Sequence, residues 1–150
     1  MKQLVLLSFF VHLHSGTPPI KAHYPTIDLM TVRTDPWVIN LQRVIYYTDT
    51  CYAIQFRDQS VLNAVIIKTM DLETLEQLKY FREGLTTLKK GNNGDIAEFR
   101  NYSIKKVGTK KENSWYILNY DGAVTNFQET QVNRMIYIIN NFISDRKSVV

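Results

Sequence analysis

The stretch from Trp115 to Phe142 constrains the fold more than any other part of the chain. Trp115-Tyr116-Ile117-Leu118-Asn119-Tyr120 is dominated by aromatic and aliphatic residues, which favours a strand. Asp121-Gly122 follows, and this pair suits a type I′ hairpin turn, whose two central positions both need positive φ. Ala123 to Phe127 then reads as the returning strand. Val132, Met135, Ile136, Ile139, Phe142 and Ile143 recur at helical spacing, so a helix with one apolar stripe is predicted over 128–144. Asn126 and Glu129 resemble a capping pair at its start.

A related pattern lies upstream, from Cys51 to Leu88. Tyr52-Ala53-Ile54-Gln55-Phe56 sets against Tyr116-Ile117-Leu118-Asn119-Tyr120, with tyrosine on tyrosine, Ile54 on Leu118, amide on amide and an aromatic closing both. Asn63 falls opposite Asn126, and Val61 to Lys68, rich in β-branched residues, reads as a third strand. A helix over 71–90 is predicted from the stripe of Leu72, Leu75, Leu78, Phe81, Leu85 and Leu88. Asp71 is its expected N-cap, and Gly91 its left-handed stop after Lys89-Lys90. Trp37 to Tyr47 precedes the first copy as a strand, and Ile96 to Val107 precedes the second. The expectation is an α+β domain of two related βββα halves, 37–90 and 95–144, forming antiparallel sheet covered by two helices. This topology resembles the whirly and PUR-type single-strand-binding folds over about Trp37 to Ser144. The likeness is one of topology and rests on no sequence motif; it implies a nucleic-acid site on an exposed sheet face.

The chain of 150 residues suits one globular domain, expected over 36–145, with 146–150 as a tail. Pro18, Pro19, Pro25 and Pro36 are all its prolines, so 17–35 reads as a linker without regular structure. Residues 1–16 carry Lys2 and the apolar run Leu4 to Val11, which is too short to span a bilayer. A signal peptide ending at Ser15-Gly16 competes with a buried strand or an over-extended start. His12, His14 and the crowding by Pro18-Pro19 weigh against the signal, so the cytoplasm is favoured over secretion. In the secreted alternative, Asn101-Tyr102-Ser103 becomes a glycosylation sequon.

Cys51 is the single cysteine, so no internal disulfide can form. His12, His14 and His23 all precede the domain, leaving it no histidine for general-base or metal work. No phosphate-cradling glycine loop and no GxSxG motif occurs. The chain is therefore expected to be no enzyme, with no catalytic residue, metal or cofactor. The formal charge of +4 leans towards anionic partners. Arg100, Tyr102, Lys105, Lys106, Lys110, Lys111 and Trp115 interleave cations with flat rings. In a binder of single-stranded nucleic acid, the Arg and the lysines would meet phosphates while Tyr102 and Trp115 stack on bases. That function is the leading expectation. The alternative is a protein-interaction or inhibitor module whose lysines meet an acidic protein surface.

Overall fold

The computed structural model describes residues 24–108 and 114–145. Strands β1 (Thr26–Arg33), β2 (Ile39–Tyr46), β3 (Asp49–Arg57) and β4 (Ile67–Asp71) form one antiparallel sheet in the order β1-β2-β3-β4, followed by helix α1 (Leu75–Lys90). Strands β5 (Ile96–Glu98), β6 (Tyr102–Val107), β7 (Trp115–Tyr120) and β8 (Ala123–Gln128) form a second antiparallel sheet in sequence order, followed by helix α2 (Glu129–Asp145). The protein is thus an α+β domain of two related halves, each one strand richer than its sequence pattern suggests.

The additional strands have local causes. No proline interrupts Thr26 to Arg33, and this segment of the expected linker pairs along β2 from Thr26↔Ile45 to Arg33↔Ile39. The expected strand 96–107 is two, because Phe99 to Asn101 turn the chain back and Phe99 N donates to Tyr102 O at 2.9 Å. Val61 to Ile66, expected as strand, form an irregular loop whose tip leaves Leu62 79% and Val65 68% exposed. Asp58 N closes that loop on Ile66 O at 2.8 Å, so β4 begins only at Ile67. The match of Asn63 to Asn126 fails accordingly, since Asn63 is in the loop and Asn126 in β8. Asp71 ends β4, and Thr74 caps α1 instead, its Oγ1 accepting from Gln77 N at 3.2 Å. Gly91 is extended at φ −79°, not left-handed; its amide donates to Thr87 O and Leu88 O. Asp121 and Gly122 do take the positive φ of the expected hairpin, 49° and 76°.

The strand registers of the two halves correspond. In the first sheet Leu41 faces Ile54 and Arg43 faces Tyr52; in the second Ile104 faces Leu118 and Lys106 faces Tyr116. These rows point inward and join Leu78, Phe81, Leu85 and Leu88 of α1 with Val132, Met135, Ile139 and Phe142 of α2 in one core. The helices are partly exchanged. α1 packs on β5 and β6 of the other half as well as on β3, and α2 packs on β1 and β2 as well as on β8. They run antiparallel, tied by Arg82 Nη1 to Asn140 Oδ1 and Lys89 Nζ to Asn133 Oδ1.

The two inward cations receive the helix ends. Arg43 donates through Nε to Asp28 at 2.8 Å and through Nη1 to Asp145 at 3.1 Å, and its guanidinium lies 4.9 Å from the Phe142 ring centroid. Its counterpart Lys106 donates to the carbonyls of Lys89 and Gly91, at 3.0 and 2.8 Å, satisfying the C-terminal end of α1.

The edge of β8 is sealed from the other half. Gln59 N donates to Val124 O at 2.7 Å, Val124 N to Asp58 Oδ1 at 3.1 Å and Arg33 Nη1 to Asn126 O at 3.2 Å. Burial pushes the Asp58 carboxyl up. The bonds it accepts from Ser60 Oγ, Val124 N and Ser60 N, together with the charge of Lys68, more than offset this and hold it below the usual carboxylate range. Asp58→Ala is therefore expected to lower the unfolding free energy by about 2–3 kcal/mol at neutral pH, with the edge amide left unpaired. Because the folded carboxyl is held low, its contribution is complete above the unfolded value of about 3.9 and is lost as pH falls through the folded value. Urea unfolding of both proteins checks this: the gap should narrow at about pH 2.5, and a gap independent of pH would refute the assignment.

Candidate nucleic-acid interface

Alternation along β6, β7 and β8 sorts the expected site residues between two faces. Ile104, Lys106, Tyr116, Leu118, Ala123, Thr125 and Phe127 are buried on the helix side. Ser103, Lys105 and Val107 of β6, Trp115, Ile117 and Asn119 of β7, and Val124, Asn126 and Gln128 of β8 have the opposite parity and form the outer face. The registers set Lys105 between Ile96 and Ile117, with Asn126 beyond, and Trp115 between Val107 and Gln128. Lys105 is exposed and Trp115 half-buried.

The other expected residues divide. Arg100 is exposed in the turn between β5 and β6, at the Tyr102 end of the sheet and away from Trp115. Lys106 points inward, only 9% exposed, with its ammonium committed to the end of α1. Tyr102 also turns inward. Its ring stacks on Phe99 at 4.3 Å and lies 5.9 Å from Phe81, and burial pushes its phenol well above the usual range. The structure thus turns Lys106 away from the outer face, while Tyr102, half-buried, also lines a shallow depression at the Asp121 end of the sheet. Lys110 and Lys111 lie outside the described residues, as do 1–16, 17–23 and 146–150.

Sequence reasoning passed over Ser103, Asn119, Asn126 and Gln128, which give the outer face its hydrogen-bonding groups. Their signal was the period-two alternation itself, with Ile104, Leu118 and Phe127 fixing which parity faces in. The face is not uniformly basic. At its other end a shallow depression is lined by Glu98, Phe99, Asn101, Tyr102, Ser103, Asn119 and Asp121, so attraction for an anion is concentrated towards Lys105 and Trp115. Among the described residues, no group of three or more His, Cys, Asp or Glu is placed to hold a metal ion. No described helix is long and apolar enough to cross a membrane.

What the fold and this face define is a class: an α+β domain of two related four-stranded halves. No family model, no curated protein and no solved structure matches the chain.

Proposed function

We propose that the protein binds single-stranded nucleic acid on the outer face of the β5–β8 sheet and catalyses no reaction. One observation carries the reading: Lys105 and Trp115 project from adjacent strands onto one face that no described helix covers, with Ile96, Ile117, Val107 and Gln128 as their cross-strand neighbours and further amide and hydroxyl side chains beyond. An indole on a sheet surface offers a stacking platform worth about 1–3 kcal/mol per base, and only unpaired bases can use it. Lys105 supplies a cation on the neighbouring strand, Arg100 lies at the far end of the same sheet, and Lys110 and Lys111 belong to the sequence between the two strands. Ser103, Asn119, Asn126 and Gln128 can bond to base edges without fixing one sequence.

Fluorescence anisotropy with labelled single-stranded and duplex oligonucleotides at two salt concentrations tests this. Lys105→Glu combined with Trp115→Ala is expected to weaken single-strand affinity at least about tenfold and to reduce the salt slope by about 1. Unchanged affinity in that variant would remove the site; absence of binding by the natural chain at low salt would remove the function.

A further inference from the structure

We infer that the depression at the Asp121 end of the β5–β8 sheet is a nucleobase pocket that prefers guanine and rejects uracil and thymine. This preference, which rests on the nucleic-acid reading, falls at one position of the face. The depression has a volume of about 370 Å³, inside the range of about 300–1,000 Å³ usual for small-ligand sites. Its walls are of two kinds. Phe99 and Tyr102 supply the apolar one, their rings stacked at 4.3 Å. Glu98, Asn101, Ser103, Asn119 and Asp121 supply the polar one, and among the described residues none of these five side chains has a hydrogen-bond or ion-pair partner. Aromatic carbon beside free carboxylate and amide groups can hold an unstacked base by both its face and its edge.

Charge decides what enters. A phosphate would be repelled by Glu98 and Asp121, so the group seated between them is one that donates. Guanine has two adjacent donors on its Watson–Crick edge, N1–H and the N2 amino group, and one carboxylate can accept both. Its O6 then needs a donor, which the amide nitrogens of Asn101 and Asn119 can supply. Adenine and cytosine each bring an amino group, but with an acceptor nitrogen beside it. Uracil and thymine flank their single N3–H with two carbonyl oxygens, and those would lie against the carboxylates. The backbone alone sets Asp121 in place, at φ 49° in the hairpin turn, and this leaves its side chain free to bond.

The pocket is in register with the rest of the face. The Trp115–Val107 row and the Asn119–Ser103 row are four residues apart along β7, about 13 Å, with Lys105 midway on β6. A strand with one base stacked on Trp115 would pass its phosphates over Lys105 and bring a later base to the depression. Arg100 is exposed in the turn between Phe99 and Asn101 and has no ion-pair partner among the described residues. It is placed to meet the phosphate of that later nucleotide.

Fluorescence anisotropy with labelled hexanucleotides tests the pocket. The probes are oligothymidine and the same oligomer carrying one guanine, or one inosine, at each position in turn. Guanine is expected to raise affinity at least about tenfold at its best position. Inosine, which lacks the N2 amino group, should fall between. Glu98→Gln combined with Asp121→Asn should bring the guanine-to-thymine ratio to about 1, and asparagine tolerates the positive φ at 121, so the hairpin survives. Lys105→Glu, by contrast, should weaken binding of both oligomers alike. Equal affinity of the natural chain for the two oligomers overturns the pocket while the nucleic-acid reading stands. A preference that persists in the double variant also overturns it. Binding of neither oligomer, even at low salt, overturns both.

Discussion

Lys106→Ala is expected to lower the unfolding free energy by about 2–4 kcal/mol, against about 0.5 kcal/mol or less for Lys105→Ala next to it. The two lysines are neighbours in sequence and opposites in space. Lys105 projects into solvent, whereas the Lys106 ammonium is the donor to two carbonyls at the end of α1. Hydrogen bonds to a charged group contribute about 1.5–3 kcal/mol, and truncation also strips packing from the buried stem. Lys106→Met should recover the packing but not the bonds, and fall between. Urea unfolding of the three variants checks the order. If Lys105 and Lys106 proved equally dispensable, the ammonium would not be holding the helix.

Cutting the chain between Gly91 and Asn92 is expected to abolish cooperative folding of either piece as a monomer. The first piece would keep α1 but lose α2 from β1 and β2; the second would lose α1 from β5 and β6. Leu41, Ile54 and Phe56 on one side, and Ile104 and Leu118 on the other, would then face water in part. Burying an aliphatic or aromatic side chain of this kind contributes about 1.5–3 kcal/mol, so a few such losses exceed the usual margin of about 5–15 kcal/mol. Far-ultraviolet circular dichroism of each piece, then of an equimolar mixture, reads this out: weak signal apart, recovered signal together. A sharp unfolding transition from one piece alone would show that the helix exchange is dispensable.

The parts legible in the sequence are those where local chemistry and tertiary packing agree. Both helices follow from their apolar stripes, and the Asp121-Gly122 hairpin follows from φ alone. The alignment of Tyr52, Ile54 and Phe56 with Tyr116, Leu118 and Tyr120 holds as matching registers. β1 was hidden because prolines flank it on both sides and a bulge between Thr31 and Arg33 breaks its alternation. Val61 to Ile66 have strong strand propensity, but nothing local announces that Asp58 will be buried and close the chain into a loop. At the candidate interface, composition registers charge but not direction. Lys106 shares its parity with Ile104, and Tyr102 does too, so both belong to the interior once the strand is placed. Asp58 and Arg33, which seal β8, act across sequence separations that no local pattern spans.

The reciprocal docking of the helices also sets a timetable for biosynthesis. Arg43 is held by Asp145, 102 residues later, and Thr31 O accepts from Arg134, 103 residues later. At ribosomal rates of about 5–20 residues per second, the first sheet, complete at Asp71, would wait on the order of 4–15 s for the helix that ends at Asp145. Throughout that interval its inward face lacks α2, and the nascent chain is open to premature association. The final turn of α2 thus completes the packing of the first sheet.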